Sequence, residues 1–282
     1  MKRSLRFLSV LFFWLVFNAT AAAHSYDLNR QQVVSLAALI GDLTQTQTVF
    51  IGETHDQQAH HNAQLQIIQE LHESAVEVSI GLEMFRQAGQ PELDRWVAGE
   101  IEPAEFSRIF SQHWSDWRVY QSLFVYARDN KIPLIALNIE RDIVNQVARK
   151  GFSSLSEKQR AKLPLAACNV SPEYRNFIRR TLSDHPHADS AFENFCEAQI
   201  LWDASMANNL ADYLLQEPQR TVVVLAGNGH SWKHGIPEQL ARLGDYRSRV
   251  LLPEVPGRID LQHISADEAD YLLQGVEQGP LH

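Results

Sequence analysis

Four short apolar runs, Thr48 to Ile51, Val76 to Leu82, Ile132 to Leu137 and Thr221 to Ala226, each stop abruptly at polar residues. Each is too short for a stable helix and fits a strand buried on both faces. Between them lie segments with helical spacing, such as Ala63, Ile67, Ile68 and Leu71, or Leu201, Ala204, Ala207, Leu210 and Leu214. Strands that alternate with helices dictate an α/β fold, with a mainly parallel central sheet flanked by helices. A fifth strand is expected at Arg249 to Leu252, a helix at Gln32 to Leu39 and a short helix at Ala266 to Leu273. The connections near 86–131 and 151–219 exceed simple crossovers and read as helical insertions forming a cap.

The residues that end the runs carry the chemistry: Gly52-Glu53-Thr54-His55-Asp56, then Glu83, then Asn138, then Gly227-Asn228-Gly229-His230. Ligands of open parallel sheets bind at the carboxyl ends of strands, so these residues are expected to share one pocket, with Asn138 and Asn228 at its rim. Glu53, His55, Glu83 and His230 together suit metal binding or acid/base work. Blander alternatives stand beside this. Thr54 or Asp56 would cap the next helix, and Glu83 alone would suit an ion pair with Arg86 or Arg141. Of His60 and His61, the latter shares a helical face with Leu65 and Ile68 and is expected to point inward. The spacing matches neither H-E-x-x-H, an EF-hand, a Walker loop, G-x-G-x-x-G nor G-x-S-x-G.

Phe106, Phe110, His113, Trp114, Trp117, Tyr120 and Phe124 recur at three- and four-residue intervals. On a helix they form a stripe, which fits core packing or a wall for a flat apolar ligand.

The first 23 residues have a basic start (Lys2, Arg3, Arg6), an apolar run from Phe7 to Phe17 and alanines at 19, 21, 22 and 23. This is the order of a signal peptide, expected to be cleaved near Ala23; a retained anchor is the alternative. No cysteine follows the run, so a lipoprotein is not expected. Residues 24–282 read as a single α/β domain carrying the insertions. The full chain has a net charge of −9, which speaks against nucleic acid as a partner. Export permits Cys168 and Cys196 to form a disulfide; two separately buried thiols are the alternative.

Val49-Phe50-Ile51-Gly52-Glu53-Thr54-His55-Asp56 with His60-His61, Gly81-Leu82-Glu83-Met84-Phe85, Ile135-Ala136-Leu137-Asn138, Ala198 to Asp203, Val224 to His230 and Gly235-Ile236-Pro237 appear in one order. In this the chain resembles the ChaN family of haem-binding uptake proteins, in the superfamily of Tiki metalloproteases and erythromycin esterases. The resemblance implies a periplasmic haem-binding protein with a role in haem or iron uptake, a homodimer with haem between its protomers, and envelope uptake machinery as a partner. It places the superfamily motif on Glu53, His55, Glu83 and His230, with Gln199, Trp202 and Asp203 on a long helix. The same positions support the alternative, a hydrolase using a divalent metal held by Glu53, His55, Glu83 and His230. The family often has tyrosines where this chain has Ser231-Trp232-Lys233-His234. His234 and the distant Tyr174 are therefore candidate axial ligands, Lys233 a propionate partner, and His55, His61 and His230 further haem contacts.

Overall fold

The computed structural model describes residues 23–182 and 189–282, so the expected signal peptide lies, except for Ala23, outside the described residues. The chain runs β1 (His24–Asp27), β2 (Gln32–Val34), α1 (Leu36–Leu43), β3 (Thr48–Glu53), α2 (Gln58–Glu73), β4 (Val78–Arg86), α3 (Gln90–Ala98), α4 (Pro103–His113) and α5 (Trp117–Asp129). It continues through β5 (Leu134–Asn138), α6 (Arg141–Lys150), α7 (Glu157–Arg160), α8 (Pro172–Leu182) and the 28-residue α9 (Asp189–Gln216). The last part holds β6 (Thr221–Gly227), α10 (Asn228–Ser231), α11 (Ile236–Ala241), β7 (Ser248–Pro253) and β8 (Tyr271–Gln274).

All eight strands form one sheet in the order β2-β1-β8-β7-β3-β6-β4-β5. From β8 to β5 every pairing is parallel; β1 alone runs against its neighbours. The uninterrupted apolar runs follow from burial on both faces. Val49, Ile51, Ile80, Leu82, Val223 and Leu225 face a core built with α1 to α5. Their alternates Phe50, Ile135, Leu137, Val222, Val224 and Ala226 face a second core built with α6, α9 and α11. Burying each such side chain stabilises the fold by about 1.5–3 kcal/mol, enough in sum to fix the register. The two long connections thus clothe opposite faces of the sheet: 86–131 supplies α3, α4 and α5, and 151–219 supplies α7, α8 and α9.

The structure departs from the sequence reading at three elements. Gln32 to Leu39 is not one helix: the β-branched pair Val33-Val34 extends as β2, and Ser35 then caps α1 by accepting the Ala38 N–H at 3.2 Å. No helix spans Ala266 to Leu273; Tyr271–Gln274 is a strand between β7 and β1. A four-residue apolar run has no period long enough to tell strand from helix. The aromatic stripe is split between α4 and α5 by Trp114 to Asp116, where Asp116 takes a positive φ of 59°. Phe106, Phe110, Tyr120 and Phe124 are fully buried, so most of the stripe is core.

Cys168 and Cys196 form a disulfide with Cα atoms 5.5 Å apart, tying the segment before α8 to α9. Among the described residues no helix is long and apolar enough to cross a membrane. The bridge spans 28 residues, and chain entropy gives it roughly 3.5 kcal/mol. Denaturant unfolding with and without reductant is expected to differ by that amount; coincident curves would deny the bridge a stabilising role.

Candidate functional site

The site begins where β3 and β6 end side by side, with Glu53 paired to Gly227. Glu53 is buried, and its two oxygens collect donors from three elements. Oε1 accepts from His55 Nδ1–H at 2.9 Å and from the Tyr120 hydroxyl of α5 in a short hydrogen bond; Oε2 accepts from Gln64 Nε2 at 2.8 Å. His61 adds an ion pair at 3.4 Å. Burial alone would raise the Glu53 pKa, but the hydrogen bonds from His55 and His61, the His61 charge and Tyr120 hold it far below the usual carboxylate range.

His61 donates from both ring nitrogens: Nε2–H to the His55 carbonyl at 3.0 Å, and Nδ1–H to Gln64 Oε1 at 3.1 Å. Its pKa is raised because Glu53 outweighs the burial that would lower it. The chain places both His60 and His61 inward. His60 Nδ1 accepts the Thr54 N–H at 2.9 Å, pinning the turn. Neither Thr54 nor Asp56 caps α2, whose N-cap is Gln57.

Across Gly227 stands the second half. Glu83 lies within β4, which runs to Arg86, rather than after it; its Oε2 accepts the Gly227 N–H at 2.7 Å. His230, on the turn after β6, donates from Nδ1 to Asp203 Oδ1 at 2.5 Å and pairs through Nε2 with Glu83 Oε1 at 3.6 Å. Asp203 comes from α9 and accepts from the Tyr174 hydroxyl at 2.9 Å. Burial would depress the His230 pKa, yet the Glu83 and Asp203 carboxylates push it up to about 9. Gly227 separates the halves because nothing larger fits: a Cβ there would lie 2.9 Å from His55 Cε1.

Glu53, His55, Glu83 and His230 therefore meet at one sheet edge. Among the described residues no group of three His, Cys, Asp or Glu is arranged to hold a metal ion. The carboxylates expected as metal ligands instead accept from His55, Tyr120, Gln64 and the Gly227 amide. Asn138 braces the strands: its Nδ2 donates to the Glu83 carbonyl at 2.7 Å, and its Oδ1 accepts Trp202 Nε1–H at 2.5 Å. Asn228 Oδ1 is buried against Gly52. Neither Arg86 nor Arg141 pairs with Glu83, and Arg86 pairs with Glu140 at 3.4 Å.

A cavity of 710 Å³ opens beside His55, lined also by Arg86, His113, Trp114, Glu140 and Arg141. Trp114 reaches it through the α4–α5 break, its ring edge-on to His55 at 5.0 Å. Tyr174, Lys233 and His234 line none of it. Tyr174 is buried on Asp203, Lys233 pairs with Asp270 at 2.8 Å, and His234 faces Glu238 at 3.2 Å. Residues that spacing alone missed are Gln64 and Asp203, with Tyr120 and Trp114 recognised only as aromatics.

The His230 charge is worth most below its unfolded pKa of 6.5 and is lost as pH rises through about 9. The stability gap between the native chain and His230→Gln is expected to be constant below pH 6.5, at about 3–5 kcal/mol for breaking a buried pair, and to shrink towards pH 9. A gap flat from pH 6 to 10, followed by urea unfolding, would contradict a charged His230.

A family model described as "Haem-binding uptake, Tiki superfamily, ChaN" matches residues 39–240. ChaN of Campylobacter jejuni, solved with cofacial haem binding, superposes with a TM-score of 0.71 at 20% identity, covering 90% of this chain and 96% of that one. At that identity the likeness shows the fold. The erythromycin esterase EreC gives a TM-score of 0.47 at 14% identity, over 88% of this chain and 82% of that chain. The chloroplastic protein RETICULATA-RELATED 5 of Arabidopsis thaliana is 26% identical over 77% of this chain, which spans about a third (32%) of that relative's length.

Proposed function

The chain belongs to the ChaN family of haem-binding uptake proteins in the Tiki superfamily, and on that premise we propose that it binds haem at the cavity beside His55 and serves haem or iron uptake. The observation that carries this is the family match itself, which runs across every strand end that frames the cavity.

The residues present offer the ligand charged partners but little apolar surface, since Ser111, Gln112, Ser115, Glu140 and Asp142 also line the cavity and Glu140 already pairs with Arg86. Haem offers an iron, two flat apolar faces and two anionic propionates. The cavity offers the His55 imidazole, the Trp114 ring and the Arg86 and Arg141 guanidinium groups, whose planar forks match carboxylates. Most of the aromatic stripe is spent in the core, so one protomer supplies little apolar cover. We propose that a second copy of the chain covers the exposed porphyrin face, as a homodimer.

The proposal includes export to the periplasm. The expected cleavage near Ala23 leaves His24, the first residue of β1, at the new terminus, and a disulfide persists in an oxidising compartment. N-terminal sequencing of periplasmic protein tests this and is expected to begin at or near His24.

One observation favours a second reading. His55 and His230 are each oriented by a carboxylate on either side of Gly227, an arrangement able to take and give protons without a metal. Ester hydrolysis that resists chelators and is lost in both His55→Ala and His230→Ala would support it.

For the haem reading, haemin titrated into residues 24–282 is expected to give a saturable Soret change. Arg86→Ala and Arg141→Ala should each weaken binding by about 1.5–3 kcal/mol, the worth of a hydrogen bond to a charged group. Absence of any saturable spectral change would overturn it.

A further inference from the structure

Residues 149–179 give an acidic chain a basic surface. They hold seven of its 25 Lys and Arg residues and two carboxylates, Glu157 and Glu173. That is a net +5 within a chain of −9, which leaves −14 for all the rest. We propose that this surface docks the protein on an anionic phospholipid bilayer, with Leu165 entering the apolar boundary and the cations that flank it pairing with lipid phosphates. The proposal is independent of the haem reading.

The segment is held in place at both ends. Arg149 and Lys150 close α6, and the chain then turns through 152–154 into α7, which carries Lys158 and Arg160. Arg160 donates to the Ser153 carbonyl at 3.1 Å and so folds α7 back on that turn. Lys162 follows, then the run Leu163-Pro164-Leu165-Ala166-Ala167, and the Cys168–Cys196 disulfide ties the far side of the run to α9. Arg175 donates to the Cys168 carbonyl at 3.5 Å and, with Arg179 one turn on, lies over the Phe192 ring.

Between these anchors Leu165 is 82% exposed, although its neighbour Ala166 is buried. A lone leucine at the surface needs no explanation. This one lies in an apolar run with cations on either side, and those cations are not neutralised. Among the described residues Arg149, Lys150, Lys158, Lys162 and Arg179 form no ion pair. The acids of α9 close to the segment are already committed, Glu193 to Arg175 at 3.4 Å and Glu197 to the Phe152 N–H at 2.7 Å. The carbonyl end of α6 suits Arg149 and Lys150, but Lys162 and Leu165 lie on no helix. Unpaired cations beside an exposed apolar side chain answer both parts of a bilayer surface, its phosphates and its acyl boundary. A nucleic acid would answer the charge and leave Leu165 in water. The acidic remainder of the chain does not cancel the attraction, because charges beyond about 8 Å are screened at physiological ionic strength.

The test is sedimentation of residues 24–282 with vesicles of phosphatidylcholine alone and with vesicles of equal parts phosphatidylcholine and phosphatidylglycerol. Binding is expected to the anionic vesicles only, and to fall as salt is raised. Lys158→Glu and Lys162→Glu should each weaken it by at least about five-fold, the worth of one basic side chain at an anionic surface. Leu165→Ser should weaken it while leaving its salt dependence unchanged. Arg118→Glu, on α5 across the sheet, should bind as the native chain does. All four replace exposed side chains, so each is expected to keep the native unfolding midpoint. No binding to the anionic vesicles, with or without binding to single-stranded RNA, equal binding to both kinds of vesicle, or an equal loss in Arg118→Glu would overturn the proposal.

Discussion

A carboxylate buried at the end of a central strand is the constraint around which this molecule is arranged. Glu53 closes β3 with almost no access to water, and an ionised group there costs several kcal/mol unless its oxygens are filled. They are filled from His55 on the turn after β3, from His61 and Gln64 on α2, and from Tyr120 on α5. Each donor fixes the element that carries it. The turn cannot drift without abandoning the carboxylate, α2 must present two polar residues one turn apart inward, and α5 must lie close enough for a phenol to reach the sheet edge. Asp203 repeats the device on the other face, where it gathers His230 and Tyr174 to α9.

The position of this polar edge follows from the rest of the sheet. Because both faces of β3, β4, β5 and β6 are sealed under apolar cores, the strand ends are where polar side chains of different strands can meet. β6 lies between β3 and β4, so Gly227 sits next to Glu53 and takes the Glu83 carboxylate on its amide. The smallest residue in the cluster separates its two halves, and substituting it would displace His55. Of the imidazoles in this network His55 is the one that borders the cavity, while His61 and His230 are engaged inside the protein.

Much of this was legible in the sequence, and for identifiable reasons. The four inner strands announced themselves because burial on both faces demands apolar runs. Glu53, His55, Glu83 and His230 stood out because they interrupt or end those runs. The strand β8 was hidden, since four residues carry no usable period, and β2 was absorbed into the helix that Ser35 starts. The contribution of Asp203 was visible as part of a motif but not as the partner of His230, because 27 residues and a change of element separate them. Tyr120 looked like one more aromatic in a stripe; only the fold shows that its hydroxyl reaches Glu53 while its neighbours Phe110 and Phe124 are plain core. Lys233 and His234 drew notice because they stand where the family often has tyrosines, yet the turn after β6 sends them to Asp270 and Glu238. Direction after a turn is set by tertiary packing, which residue order does not encode.

The most direct measurement is a crystal structure of residues 24–282 with haem bound. The account predicts haem seated in the cavity beside His55, with Glu53 still accepting from Nδ1–H and the propionates directed at Arg86 and Arg141. Haem seated at Lys233 and His234, away from that cavity, would contradict it.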